Sequence, residues 1–280
     1  MTVGGAQRGD RKRNQQSRAT QAARAVAAAR GSNKDRNRII IGVVVIVVIA
    51  AAVVGGVLFE QHRANVASTE TIPAKTVAGS NKYPVTIDKS NATVLVGKSD
   101  AKIHIDNYED FLCPYCDDFE KSNFDFMEQQ LEAGTVQIRY HLLNLLDDHS
   151  QPAGYSIQSA NTALAVATVA PDKFVDFHYS LYEDQPKEGG PGWTQAQLTS
   201  LANRLGVSGP AFDSLVNGKT YNAQIQKNLT AAVNDKSLWA TSVAGTGFGT
   251  PTIVANGTMQ NVSDNTTNWL KTLLKTAYPS

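Results

Sequence analysis

The sequence predicts an α/β protein whose globular part follows a single transmembrane helix. An uncharged apolar run extends from Ile39 to Phe59. From Tyr83 onward, short strand-like segments alternate with segments that have helical periodicity. These patterns divide the chain into a basic tail at 1–38, a transmembrane helix at 39–59, a linker at 60–82 and a globular domain at 83–280.

The apolar run is long enough to be a membrane anchor. Its 21 residues would form a helix of about 31 Å, which spans the hydrocarbon core of a bilayer. Secretory h-regions are shorter, about 7–15 residues, and apolarity on every side of the helix disfavours a core helix of a soluble domain. We therefore expect an uncleaved span.

The tail before the span is strongly basic. It carries ten Lys or Arg residues and two acidic residues, whereas the rest of the chain is net acidic. Basic residues mark the cytoplasmic side of a span, so the sequence predicts a single-pass membrane protein with its globular domain outside the cytoplasm. The tail lacks interleaved aromatic residues, so a solvated arm near anionic headgroups is favoured and nucleic-acid binding is not expected.

The first half of the globular domain combines strands with one helix. YPVTI and ATVLVG are typical of short strands, and AKIHI begins a third that runs into DFLCPYCDDF. The next segment has helical spacing up to Gly134, a residue that commonly ends helices. Its predicted buried face holds Phe119, Phe124, Met127 and Leu131. TVQIRYHLLNLL, residues 135–146, predicts another strand.

The second half is mainly helical before a hairpin and a last helix. Apolar residues recur at helical spacing over about 148–240. PTIVA and TMQNV then flank Asn256-Gly257, a dipeptide preferred in two-residue type I′ hairpin turns. TTNWLKTLLKTA predicts a final helix with Trp269, Leu270, Leu273 and Leu274 on one side.

The chain has two cysteines, Cys113 and Cys116, and they are two residues apart. A structural staple is disfavoured, because closing so short a loop constrains the unfolded chain little. A structural zinc site needs four ligands, and the histidines show no paired ligand spacing: His62, His104, His141, His149 and His178. We therefore expect no metal and favour a working redox pair in a compartment where disulfides persist.

The local sequence assigns different roles to the two sulfurs. Proline is favoured at the first position of a helix, so Pro114 places Cys113 near the N-cap. There the free backbone N–H groups and the positive end of the helix dipole stabilise a thiolate. Cys116 lies on the same helix face but deeper. We expect Cys113 to attack or be attacked and Cys116 to resolve the intermediate.

A second motif, GFGTPTIV, places Thr250-Pro251 at the start of a strand. A proline there interrupts strand pairing unless it sits at an edge or in a special turn. The position favours a cis X–Pro bond. A trans proline that caps an edge strand is the alternative.

Together, DNYEDFLCPYCDDFE and GTGFGTPTIVANG resemble the DsbA-like branch of the thioredoxin superfamily, and the resemblance covers about residues 83–278. It implies a thioredoxin fold with a helical domain inserted at about 148–240. It also implies thiol:disulfide exchange without a cofactor, with Cys113 as the exposed nucleophile and Cys116 as its buried partner. Pro114, Tyr115, Thr250 and Pro251 would contact the substrate.

The resemblance implies a membrane-anchored oxidase that introduces disulfides into exported proteins with reduced cysteines. A quinone-linked membrane protein would reoxidise it. Two alternatives stay open. The Pro114-Tyr115 dipeptide also occurs in reductases and isomerases, so the chain could work in that direction. It could also be a binding or chaperone module, or a metal carrier, whose cysteines are not turned over.

One position departs from the family pattern. Many relatives carry a buried acid six residues before the first cysteine, where it helps proton transfer from the second cysteine. This chain has Asn107 there. Asn cannot take a proton, so another group or water must serve, and Asp110 is the candidate that the sequence offers.

Overall fold

The structure is a computed structural model that describes residues 71–242 and 245–279. The predicted basic tail, the predicted transmembrane helix and residues 60–70 of the predicted linker lie outside the described residues. Within the described residues, every helix is too short or too polar to cross a bilayer.

Apart from two short strands before the hairpin, the main elements follow one another in the order that the sequence patterns predict. The first half contains β1 (Val85–Asp88), β2 (Thr93–Gly97), β3 (Ile103–Glu109), α1 (Pro114–Ala133) and β4 (Val136–Leu142). Five helices follow: α2 (Tyr155–Val169), α3 (Phe174–Glu183), α4 (Gln195–Arg204), α5 (Pro210–Asn217) and α6 (Asn222–Asn234). The chain then forms β5 (Ala240–Ser242), β6 (Gly245–Gly247), β7 (Thr252–Ala255), β8 (Thr258–Met259) and α7 (Asn268–Ala277).

Six strands form a mixed sheet in the order β1-β2-β4-β3-β7-β8. Strands β3 and β4 are parallel, whereas β7 runs antiparallel to β3. The end of β3 therefore lies beside the start of β7. This arrangement brings the cysteine motif, which follows β3, close to Thr250-Pro251, which precedes β7.

Helix α1 begins and ends as the sequence predicts. Cys113 is the N-cap and Pro114 is the first helical residue, while Gly134 ends the helix in the left-handed conformation with a φ of 71°. That conformation suits glycine because it has no Cβ. The predicted apolar face is buried, which orients the first turn of α1 toward the end of the sheet.

The helical block lies in the chain between β4 and β7. Nearly every residue of α2 is buried, and this helix packs on β1, β2 and the neighbouring helices α3, α4, α5 and α6. Small side chains such as Ala160 and Ala163 permit these close approaches. Helix α3 packs against both α1 and α2, so it connects the helical block to the cysteine motif.

The described part of the segment predicted as a linker packs against the domain. Ile72 is fully buried, the backbone N–H of Lys75 donates to Ser180 Oγ at 2.9 Å, and that of Val77 donates to Asp176 Oδ1 at 2.9 Å. Both bonds to α3 use backbone N–H groups of this segment, which residues of almost any side-chain type carry. Composition alone does not reveal such long-range partners.

One strand boundary and two short strands differ from the sequence-based prediction, and one turn matches it. The strand predicted over 135–146 ends at Leu142, and its last bond to β3 runs from the Leu143 N–H to the Glu109 carbonyl at 2.8 Å. The two short strands β5 and β6 were not predicted. The hairpin turn is confirmed, since Asn256 and Gly257 both have positive φ, 48° and 77°.

Candidate active site

Cys113 lies at the N-terminus of α1, as predicted. Its Sγ is 3.1 Å from the Thr250 carbonyl oxygen, to which it donates when protonated. Its own carbonyl accepts the N–H groups of Cys116 and Asp117 and, at 2.9 Å, the side-chain amide of Gln185. Groups from α1, from the loop before β7 and from the loop after α3 therefore fix the position of Cys113.

The exposure of the two sulfurs differs from the expectation. Cys113 is 4% exposed and Cys116 is fully buried, so the expected order holds but Cys113 is not an open surface group. The physical reason is the Thr250 carbonyl that lies against its sulfur. Tyr115, between them, is 72% exposed.

The environment favours a thiolate at Cys113 and a protonated thiol at Cys116. A hydrogen bond from the Cys116 thiol lowers the pKa of Cys113, and the backbone N–H groups of Tyr115 and Cys116 lower it further, against the opposing effect of burial. Burial raises the pKa of Cys116 well above its ordinary value, and the neighbouring charges of Cys113 and Glu109 add to this. Cys113 is therefore the sulfur that ionises first.

Three of the four predicted substrate-contacting residues meet at one groove. The Thr250-Pro251 bond is cis, which confirms the prediction. Tyr115, Thr250 and Pro251 line a groove of about 870 Å³ that also includes Phe248 and Met259. Pro114 is exposed and starts α1 without lining the groove. Among the described lining residues Asp118 is the charged one.

The side chain of Asp110 accepts hydrogen bonds from the backbone of two loops. Its Oδ1 accepts the N–H of Leu112 and its Oδ2 accepts the N–H of Leu146, both at 2.8 Å. Burial raises its pKa to about 6. One carboxylate oxygen thus holds the backbone that enters α1, and the other holds the loop that follows β4.

A group of buried polar residues lies beneath Cys116. Asn107 Nδ2 donates to Glu109 Oε2 at 3.0 Å and to Glu120 Oε1 at 3.1 Å. His178 Nε2 lies 2.5 Å from Glu109 Oε1. Burial raises the pKa of each glutamate to about 8 and lowers the pKa of His178.

The sequence analysis did not predict this group of buried polar residues, although the spacing of two of them along β3 and α1 could have indicated it. Glu109 shares the buried face of β3 with Asn107, since side chains alternate along a strand, and Glu120 lies one helical turn after Cys116. His178 comes from a helix 69 residues later in the chain, and no local pattern connects it with the motif.

A cysteine pair at a helix N-terminus, opposite a cis-proline loop on a mixed sheet, defines a thiol–disulfide oxidoreductase of thioredoxin-like fold. The comparison with known families agrees. The family model described as Thioredoxin matches residues 89–275. The chain therefore belongs to this thioredoxin family, and its structural relatives are DsbA-family oxidoreductases.

Two solved structures illustrate the relationship. Reduced DsbA from Mycobacterium tuberculosis is 27% identical, with a TM-score of 0.51 over 66% of this chain and 99% of that one. The MdbA thiol-disulfide oxidoreductase from Corynebacterium diphtheriae is 21% identical, with a TM-score of 0.54 over 72% of this chain and 95% of that one. The second likeness supports the fold alone.

Among curated proteins, the chain is similar to the serine/threonine-protein kinase PknE of Mycobacterium tuberculosis. The two are 30% identical over 163 residues, which is 56% of this chain and 28% of the kinase. The chain thus spans little more than a quarter of the length of the curated relatives that it matches.

Proposed function

We propose that the chain is a membrane-anchored, extracytoplasmic oxidase that introduces disulfides into exported proteins through Cys113-Pro114-Tyr115-Cys116. The observation that carries this proposal is the unequal environment of the two sulfurs. The pKa of Cys113 is lowered while that of Cys116 is raised. Stabilising a thiolate stabilises the reduced pair, which makes the disulfide form a stronger oxidant.

The reaction consists of two exchanges. A client thiolate attacks Cys113 Sγ of the oxidised pair, a client–Cys113 disulfide forms, and the Cys113–Cys116 bond breaks with Cys116 leaving. A second client thiolate then attacks the client sulfur, and Cys113 leaves as a thiolate. A leaving sulfur of low pKa departs faster, so the environment of Cys113 favours this release. Two electrons pass from the client to the pair.

The groove next to Cys113 would hold the client in an extended form. In the reduced protein the Thr250 carbonyl oxygen accepts from Cys113 Sγ. In the oxidised protein that sulfur carries no proton, so the carbonyl is free to accept a client N–H. Strand-like pairing of this kind depends on the backbone and tolerates many client sequences.

The proposed location and partners follow from the membrane span. Residues 39–59 would anchor the chain and the basic tail would stay in the cytoplasm. The site would then work in a compartment where disulfides persist. The reduced pair needs an oxidant in each cycle, and a quinone-linked membrane protein is the proposed class.

The redox equilibrium with glutathione tests the direction of the reaction. We expect a potential well above about −200 mV, because strong oxidants of this kind lie near about −120 mV and reductases near about −270 mV. A value in the reductase range would contradict the oxidase proposal and favour a reductase or isomerase. In the Cys113→Ser variant, client capture that continues unchanged would favour a binding module.

A further inference from the structure

The groove beside Cys113 carries its charge on α1. Backbone groups and neutral side chains form most of its lining, and Tyr115, Phe248 and Met259 contribute apolar surface. Among the described lining residues, Asp118 is the one with a formal charge. A single negative charge in an otherwise neutral groove favours partners that carry a positive charge at the matching position.

The carboxylate of Asp118 is available to such a partner. The residue is exposed on the surface of α1, and its side chain makes no ion pair or hydrogen bond with another described residue. The preceding residue differs, because Asp117 Oδ2 lies 2.8 Å from Lys121 Nζ. A client cation that pairs with Asp118 therefore displaces no internal partner of the carboxylate.

Helix stability does not account for the charge at this position. Acidic side chains stabilise a helix through its dipole mainly within the first turn. That turn of α1 already holds Asp117, and Asp118 follows it. The charge of Asp118 is therefore better explained by what enters the groove than by the helix that carries it.

The geometry of α1 sets the distance between Asp118 and the reactive sulfur. Asp118 comes three residues after Tyr115, so both side chains lie on the same face of the helix, and both line the groove. Asp118 comes five residues after Cys113, which corresponds to about 7.5 Å along the helix axis. In an extended client, two residues span about 6.6 Å, which is nearly the same length.

The alternation of side chains in an extended client selects the same position. Successive side chains of a strand point to opposite sides, so the residue two positions from a cysteine points to the same side as the cysteine. The client cysteine must point toward Cys113 at the start of α1. The side chain two positions away therefore also points toward α1, where Asp118 lies, whereas the adjacent side chains point away.

We infer that Asp118 is a specificity-determining residue, which selects clients with Lys or Arg two residues from the reactive cysteine. The inference rests on the proposed disulfide exchange. Tyr115, 72% exposed and one turn closer to Cys113, offers an aromatic surface to the alkyl part of the Lys or Arg side chain. An acidic residue at the same client position would be repelled. Charge thus adds a preference to backbone pairing that tolerates many sequences.

Peptide exchange kinetics test this preference in the full-length chain. The oxidised protein is reduced by two-cysteine peptides in which both cysteines have the same neighbours. The series places Lys, Gln or Glu two residues before the cysteine, two residues after it or directly before it. Acid quenching stops the exchange, and each rate constant is divided by the thiolate fraction of the peptide, because a nearby Lys lowers the thiol pKa. Within each protein the Lys rate is divided by the Gln rate, so differences in the reactivity of Cys113 cancel.

The wild type should show a Lys to Gln ratio of about 3 at one of the two positions that lie two residues away, within the range of exposed ion pairs. The ratio directly before the cysteine should be about 1. In about 0.5 M NaCl the preference should decline, since salt screens exposed charges. Asp118→Asn should lower the ratio to about 1, Asp118→Glu should retain it, and Asp118→Lys should favour the Glu peptide.

Asp125→Asn is the matched control. Asp125 is exposed on the same helix and does not line the groove, so this variant removes the same charge elsewhere. The chain after the basic tail is net acidic, and a general attraction of cationic peptides would decrease equally in both variants. We expect the wild-type ratio in Asp125→Asn. An equal loss in Asp118→Asn and Asp125→Asn would overturn the inference.

Two outcomes separate this inference from the proposed function. Exchange with equal corrected rates for the Lys and Gln peptides would leave the proposed function intact and refute selection by Asp118. Absence of exchange with every peptide would refute the proposed function and this inference with it. Steady-state kinetics add a further check, because Asp118→Asn should raise KM for the preferred Lys peptide relative to the Gln peptide. A loss confined to kcat would assign Asp118 to the exchange step and overturn its role in selection.

Discussion

The two sulfurs of one short motif face two different regions of the molecule. The groove beside Cys113 is open and is lined by neutral side chains, backbone groups and Asp118. The region beneath Cys116 is closed and holds two carboxyl groups and an imidazole at hydrogen-bond distances. The difference shows that two sulfurs within one helical turn can lie in unlike environments, one beside an open groove and one fully buried.

The largest expected effect is on the reactivity of the thiols. At pH 6 Cys113 should react with iodoacetamide about 10³-fold faster than Cys116, because the thiolate is the nucleophile and only Cys113 has a lowered pKa. Each rate is measured in the variant where the other cysteine is serine, whose hydroxyl can replace the thiol hydrogen bond. In denaturant the two rates should converge. Similar alkylation rates for Cys113 and Cys116 in the folded protein would contradict the difference in thiol pKa between the two regions.

Stability should depend on pH through the closed region. The pKa of Glu109 is about 8 in the folded protein against 4.5 as its ordinary value, so the folded state binds more protons between these values. The free energy of unfolding should then fall as the pH rises from about 5 to about 8. We expect a loss of about 2 kcal/mol from this group, since its coupling to Glu120 reduces the full linkage value.

Urea unfolding at several pH values measures this slope. Glu109→Gln should flatten it, whereas Glu128→Gln, at a half-buried position of α1, should flatten it less. A slope that is the same in the wild type and in Glu109→Gln would mean that the carboxyl of Glu109 is ionised in the folded protein at neutral pH.

The smallest expected effect concerns the open region. Tyr115→Ala should raise the KM for a client peptide several-fold, a loss of about 1 kcal/mol for an exposed aromatic contact. The pKa of Cys113 should not change, because the side chain of Tyr115 projects into the groove. Val169→Ala, an exposed position at the end of α2, is the control. A changed thiol pKa without a changed KM would assign Tyr115 to the proton chemistry instead.

The open region could be predicted from sequence more fully than the closed one. A helix start predicts the positions of Cys113 and Pro114, and a strand start predicts that of Thr250-Pro251. The hairpin at Asn256-Gly257 follows from the φ values that its two residues permit. Local backbone preferences determine these features, so a few neighbouring residues of the sequence are enough to predict them.

The closed region depends on packing between distant parts of the chain. His178 reaches Glu109 only because α3 packs against α1, and no motif marks that contact. The same reason explains the low exposure of Cys113, which comes from a carbonyl 137 residues later. Where the environment of a residue depends on such long-range neighbours, it can be recognised only from the three-dimensional structure.

The hydrogen bonds between α3 and residues 75–77 bear on where a truncated protein can begin. A fragment that starts at residue 83, the predicted domain boundary, would remove the N–H group that Asp176 accepts and expose the apolar site filled by Ile72. The buried carboxylate of Asp176 would lose its backbone donor and keep only the ion pair with Lys173 at 3.8 Å, on the helix that also carries His178. Fragments made for crystallisation or labelling should therefore include the residues from at least Ile72 onward.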